Sequence, residues 1–292
     1  MFDTITSIDT LHAAWKRVRS NRGGPGGDTE TLDEFGRAID ERLRGLRGAL
    51  RSRRYRPGPL RVCPVAKPDG STRLLRIPCI TDRVIQTACA TALSAALDRR
   101  MNGSSFGYRP ARSVAGALAR LRELAAKGDG WVLDADIERF FDRVPHGALL
   151  DELEIWTGDG RLVALVGLWL RGFGRGRGLA QGAPVSPVLA NLYLHPLDES
   201  LARAGLAHIR YADDFVVLTP NRDRAWRARR IAATVLRRRG LTLSAEKTRI
   251  VAPGTPFGFL GEEIVLGEPS RGPFGRVGKP RKTLTGKDFY LG

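Results

Sequence analysis

A chain of 292 residues, 42% of them hydrophobic, has the length for one large or two small domains and a globular rather than a disordered composition. Its 48 Lys and Arg against 31 Asp and Glu leave a formal net charge of +17, which favours a polyanionic partner, nucleic acid above all. Three cysteines, Cys63, Cys79 and Cys89, lack CxxC or Cys/His spacing and support neither a disulfide framework nor a zinc site. No apolar run approaches a membrane span and Met1 to Ser20 lacks the apolar core of a signal peptide, so the expectation is a cytoplasmic protein with no membrane partner.

Residues 5–20 read as a helix, broken by the Gly/Pro-rich stretch Asn21 to Asp28. A second helix is expected from Leu32 to about Ser52, with Leu32, Phe35, Ile39, Leu43, Leu46 and Leu50 on one face and arginines on the other. Two short β runs, 60–63 and 74–77, flank Lys67-Pro-Asp-Gly70, a hairpin signal that sets Lys67 and Arg73 on opposite sides of one turn. There both could grip a triphosphate, Arg73 as a planar fork and Lys67 as a point charge, or stand as two exposed hairpin cations. Thr81-Asp82 could cap a helix through Leu97, and another helix runs from about Ser113 to Ala126.

Trp131 to Ile137 reads as a strand with Asp134 and Asp136 on one face, ended by Pro145 after Glu138-Arg-Phe-Phe-Asp142. An apolar helix over 161–173 leads through a basic glycine loop to Gln181-Gly182, where glycine permits close backbone approach and glutamine offers hydrogen bonds, and a helix follows from Val188 to Leu201. Two β runs, His208 to Tyr211 and Phe215 to Leu218, are pinched around Asp213 and Asp214. Adjacent carboxylates on a tight turn repel each other, and a divalent cation offsets both that repulsion and their partial burial. An arginine-rich helix, Arg222 to Arg239, ends at Gly240, Lys247 stands near a strand entrance, and Phe257 to Gly261 starts another hairpin. From Gly267 onward the chain is rich in glycine, proline and lysine without a core pattern.

A strand aspartate, a paired-aspartate hairpin, a basic hairpin and a basic surface are the parts of two-metal phosphoryl transfer to nucleic acid, and carboxylates suit magnesium, a hard ion that prefers oxygen. The order of motifs resembles the reverse transcriptase family, the bacterial group II intron type in particular. The blocks that carry the resemblance run in order through Ala66-Lys-Pro-Asp-Gly-Ser-Thr-Arg-Leu-Leu-Arg-Ile-Pro78, Thr81-Asp-Arg-Val-Ile-Gln86, Ser105-Phe-Gly-Tyr-Arg-Pro110, Ala135-Asp-Ile-Glu-Arg-Phe-Phe-Asp142, Gln181-Gly-Ala-Pro-Val-Ser-Pro-Val-Leu-Ala-Asn191, Tyr211-Ala-Asp-Asp214, Glu246-Lys-Thr248 and Phe259-Leu-Gly261.

The resemblance implies an α+β right-hand polymerase of fingers and palm, its antiparallel palm sheet backed by helices. Residues 1–130 would form an N-terminal extension and the fingers with part of the palm, 131–262 the palm, and 263–292 a basic tail or truncated entry to a thumb. It implies an RNA-directed DNA polymerase that uses an RNA template, a DNA or RNA primer, dNTPs and two Mg2+ ions, with Mn2+ as a substitute. Asp136, Asp213 and Asp214 would be catalytic and, with Ile137 beside Asp136, form the metal set. Lys67, Arg73, Phe141, Gln181, Tyr211 and Lys247 would face the incoming nucleotide, Phe141 as the bulky residue that rejects a 2′-hydroxyl. Phe259, Leu260 and Gly261 would hold the primer end. Arg76 departs from the glycine usual there, and the expectation is a chain that lacks the thumb and maturase regions of such enzymes. That leaves an alternative, an RNA-binding maturase-like or partner-dependent protein with weak or no polymerase activity, engaged with intron RNA or a CRISPR or defence partner.

Overall fold

The computed structural model describes residues 1–66, 70, 72–128 and 130–267. Helices α1 (Phe2–Ile5) and α2 (Ile8–Ser20) are separated by Ser7, whose hydroxyl accepts the Thr10 N–H and starts the second helix. Thr31 opens α3 (Leu32–Gly36) in a reciprocal capping box with Glu34. The spacing predicts one helix to Ser52, but the chain breaks at Ala38 before α4 (Ile39–Arg51). The break gives Phe35 its own approach to Trp15, ring centroids 5.0 Å apart. Strands β1 (Arg61–Ala66) and β2 (Thr72–Ile77) form the expected antiparallel hairpin, Ala66 opposite Thr72. Lys67 lies outside the described residues.

Helix α5 (Ile80–Asp98) is not capped by Asp82; that side chain is buried and accepts hydrogen bonds from Tyr55 Oη at 2.5 Å and Gly58 N–H at 2.9 Å. Then come α6 (Val114–Ala125), capped by Ser113, and β3 (Trp131–Ala135). After α7 (Phe140–Arg143), α8 (His146–Thr157) fills a stretch for which the sequence reading, ending its segment at Pro145, predicts no element, and α9 (Gly160–Phe173) and α10 (Ser186–Arg203) follow. Strands β4 (Ala207–Tyr211) and β5 (Asp214–Thr219), helix α11 (Arg222–Arg238), and strands β6 (Arg249–Val251), β7 (Phe257–Phe259) and β8 (Glu262–Ile264) complete the order.

The chain divides into two units. The first, Met1–Arg99 with Phe141–Leu192, is helical around the β1–β2 hairpin. α2 packs on α5 and α4, and Leu11, Trp15, Leu43, Leu46, Ile80, Val84 and Leu93 are buried. Burying side chains of this size contributes about 1.5–3 kcal/mol each relative to exposure. The second unit, Arg100–Phe140 with residues from Tyr193 on, is built on a four-stranded antiparallel sheet in the order β4-β5-β3-β6. Strand alternation divides its two faces. Val132, Ile209, Val216, Leu218 and Val251 pack under α6 and the β7–β8 hairpin. Leu133, Ala135, Phe215 and Val217 are buried on the other face, which α11 closes against β3, β5 and β6. No helix among the described residues is long and apolar enough to cross a membrane.

Candidate active site

The site is built at one end of the four-stranded sheet. Tyr211 pairs with Asp214 across the β4–β5 hairpin, so the two-residue turn is Ala212-Asp213 and Asp214 is already the first residue of β5. The sequence places both aspartates in the turn; the structure assigns its first position to Ala212, which takes φ +60°. A tight hairpin needs a left-handed residue there to match the strand twist, at some strain for a residue other than glycine. Alternation puts Asp214 on the same face as Val216 and Asp134. Asp136 stands one residue beyond the end of β3, where the sequence predicts strand to Ile137.

Asp136 is fixed from the far end of the chain. Its carbonyl accepts the Ser244 N–H at 2.8 Å, Glu138 N–H donates to Thr242 O at 2.9 Å, and Ile137 bridges Leu243. Lys247 Nζ then reaches Asp136 Oδ2 at 3.3 Å. Asp134 pairs across the sheet with Arg249, whose Nε lies 3.1 Å from its carboxylate. Burial pushes the Asp134 carboxyl up, and Arg249 opposes that push. Asp214 is raised well above the usual carboxylate range, first by burial and then by the charges of Asp213, Asp134 and Asp136, with Lys247 pulling the other way. Four carboxylates are therefore electrostatically coupled around one turn.

The turn is braced from behind by Arg210 and Asp198, which the sequence motifs do not mark, and by the Ser105–Pro110 block, to which the motifs assign no such role. Arg210, fully buried in β4, makes a two-pronged ion pair with Asp198 of α10 at 2.7 and 2.6 Å. It also donates to the Ala212 carbonyl at 2.8 Å and to Ser105 Oγ at 2.9 Å. The 104–106 segment runs along the outer edge of β4, with Phe106 N–H donating to Arg210 O and Arg210 N–H to Ser104 O, each at 2.8 Å. Gly107 then passes so close that a Cβ there would stand 2.5 Å from Ala212 N. Alternating His208 and Arg210 in an otherwise apolar strand was the available signal; nothing in the sequence names Asp198 as the partner.

Tyr211 is half-buried beside Tyr108, ring centroids 6.4 Å apart. In the β7–β8 hairpin, Phe259 is a core residue of the second unit, while Leu260 and Gly261 form the turn with φ +52° and +85°. The first unit holds the remaining candidates. Arg73 is half-buried in β2, and Phe141 is half-buried in α7 with its carbonyl accepting the Leu179 N–H at 2.6 Å. The Gln181 carbonyl accepts the Arg76 N–H at 2.7 Å, and Gly182, at φ +108°, packs against the Arg76 backbone. The close approach expected of Gly182 is thus to β2 of its own chain. Arg76 enters through its backbone, which glycine would supply equally well.

Among the described residues, no three His, Cys, Asp or Glu side chains are gathered into a ready-made metal shell. The donor chemistry nonetheless fits a hard divalent ion: all the acids are oxygen donors, and their mutual repulsion around Asp214 is what such an ion offsets.

An antiparallel sheet that carries clustered carboxylates on a hairpin and is closed by helices on its back is the architecture of a palm domain. The family model described as reverse transcriptase (RNA-dependent DNA polymerase) matches residues 65–264, and the chain belongs to that family. It is 25% identical to the COX1/OXI3 intron 1 protein of Saccharomyces cerevisiae over 98% of this chain and 41% of that protein. It is likewise 25% identical to the group II intron-encoded protein LtrA of Lactococcus lactis, over 95% of this chain and 58% of that one. The chain thus spans about half the length of these relatives. Telomerase of Candida albicans, solved with a fragment of telomeric RNA, shares the fold at a TM-score of 0.56 and 13% identity, covering 80% of this chain and 49% of that one.

Proposed function

We propose that the chain is the polymerising part of an RNA-directed DNA polymerase, which joins dNTPs to the 3′-hydroxyl of a primer paired with an RNA template. The observation that carries this reading is the coupled carboxylate array around Asp214, held on a braced hairpin in a chain of this family. In this reading residues 131–262 supply the palm and residues 1–130 the fingers and N-terminal extension.

Asp136, Asp213 and Asp214 would hold magnesium, with the Ile137 backbone beside them. Two bound ions supply charge for the phosphate oxygens and lower the pKa of the attacking hydroxyl. The chain's own residues hold the carboxylates in place. The 242–248 segment clamps the Asp136 backbone, and Lys247 sets the orientation of its carboxylate. Arg249 pairs with Asp134 across the sheet and offsets part of its charge beside Asp214. Lys67 and Arg73 bind the triphosphate by charge, Gln181 and Tyr211 line the nucleotide's surroundings, and Phe141 excludes a 2′-hydroxyl by its bulk. The Leu260-Gly261 turn, anchored by Phe259 in the core, supports the primer end.

The test is magnesium-dependent primer extension on an RNA template. Wild-type chain extends the primer with dNTPs; Asp213→Ala and Asp136→Asn each lower the rate by more than about a hundredfold, beyond the loss typical of residues that merely support a metal ligand. Phe141→Ala raises incorporation of NTPs relative to dNTPs. A wild-type chain that binds the primer–template and adds no nucleotide would instead favour an RNA-binding, maturase-like protein.

A further inference from the structure

The back of the sheet offers a second surface with its own chemistry. Arginine occupies seven of the seventeen positions of α11, and Asp223 is its lone acid. Ala225, Ala228, Ala232 and Leu236 form the buried stripe that seals the sheet. Arg222, Arg224, Arg227, Arg230, Arg237 and Arg238 are exposed over the rest of the helix, about 24 Å from end to end. No ion pair among the described residues engages any of these six.

The arrangement is poor for the helix itself. Arg224, Arg227 and Arg230 follow at three-residue spacing, where like charges repel, and Arg222 and Arg224 sit in the first turn, where the helix dipole disfavours positive charge. Among them Trp226 is 38% exposed, with the Arg229 guanidinium 5.2 Å from its ring centroid. A polyanion lying along the helix relieves every one of these repulsions at once. Arginine is the side chain suited to phosphate, through its planar fork of donors.

We infer that the exposed face of α11 binds the phosphate backbone of a base-paired RNA stem, on the side of the sheet opposite Asp134 and Asp214. A rigid rod of arginines with one aromatic matches a stem, whose phosphates stand at fixed positions; a single strand is typically held in a groove lined with several aromatics. The choice of RNA rests on the RNA-copying reading above, in which the site engages only the end of a long template. The surface then holds template structure lying away from the point of synthesis.

The experiment compares the full chain with a triple variant, Arg227→Glu, Arg230→Glu and Arg237→Glu, for binding to a fluorescent RNA stem over a range of salt. The expected result is at least a tenfold loss of affinity at low salt and a log–log salt slope smaller by about 3, close to one unit per lost phosphate contact. Extension of a short annealed primer at saturating enzyme stays at the wild-type rate, and the corresponding Arg→Lys triple variant retains stem binding. Unchanged affinity and slope would overturn the inference. So would loss of binding to phosphatidylserine vesicles with stem binding intact, or a DNA duplex held more tightly than the RNA stem through the same residues. Should the Glu variant fail to fold by circular dichroism, cross-linking of wild-type chain to a thiouridine-labelled stem decides: adducts within 222–238 support the surface, and adducts confined to other segments refute it. A chain that adds no nucleotides but passes the stem test refutes the polymerase reading and leaves this surface standing.

Discussion

Arg210 shows how a single buried charge can serve a site it does not face. Its guanidinium is fully enclosed and satisfied by Asp198, Ser105 and the Ala212 carbonyl, so its burial is compensated. Arg210→Met strands the Asp198 carboxylate and releases the turn carbonyl. Removing one member of a buried pair costs about 3–5 kcal/mol, which urea unfolding would register as a lower midpoint with an unchanged slope. Asp82 is another buried charge with a measurable signature. Burial raises its pKa to about 6, against the hydrogen bonds from Tyr55 and Gly58 that favour the ionised form. Because its folded pKa exceeds the unfolded value of 3.8, the contribution is fully present below pH 3.8 and is lost as pH rises toward 6. Relative to Asp82→Asn, wild-type stability should therefore fall by about 2 kcal/mol between pH 4 and pH 7. Parallel pH profiles for the two proteins would contradict the assignment.

At the level of elements, the hairpin carrying Asp213 and Asp214 depends on the loop behind it. Gly107 is the point of closest approach, and Gly107→Ala would drive a methyl group into Ala212 N. The expected outcome is a modest stability loss of about 1–3 kcal/mol, as for other overpacking changes, with a disproportionate fall in primer-extension rate at saturating nucleotide. Equal stability and activity to wild type would mean that the turn tolerates displacement. The sequence discloses the hairpins well, because turn residues and alternation are local signals: β1–β2 and β4–β5 both fall where Pro-Asp-Gly and the paired aspartates predict them. It discloses the extent of α11 too, but not its buried stripe: the spacing predicts Trp226, Ile231, Val235 and Leu236 inward, whereas Ala225, Ala228, Ala232 and Leu236 are buried and Trp226 is exposed, because only small side chains let the helix lie close on the sheet. The α8 helix escapes because Pro145 reads as an end when it serves as an N-cap, and the break at Ala38 escapes because Phe35 satisfies helical periodicity on either side of it. The Asp198–Arg210 brace is illegible for a different reason. It joins a helix to a strand, and only the fold brings the two together.

For the molecule as a whole, the excess of 17 positive charges makes affinity for any nucleic acid steeply dependent on salt. With six to ten phosphates engaged, binding should weaken by about 10³ to 10⁵ between 50 and 200 mM salt; a flat dependence would mean that the charge is not used for binding. The order of the central sheet has a further consequence. β3 lies between β5 and β6, both of which come much later in the chain, and Asp136 is clamped by residues 242–248. During synthesis from the N-terminus, at roughly 5–20 residues per second, β3 waits on the order of 10 s before its second neighbour leaves the ribosome, with both edges unpaired until β5 emerges and one edge unpaired until β6 follows. Nascent chains that stop before Val251 would expose a strand edge to one another, so the window for chaperone capture or aggregation is set by the strand order rather than by any unstable element.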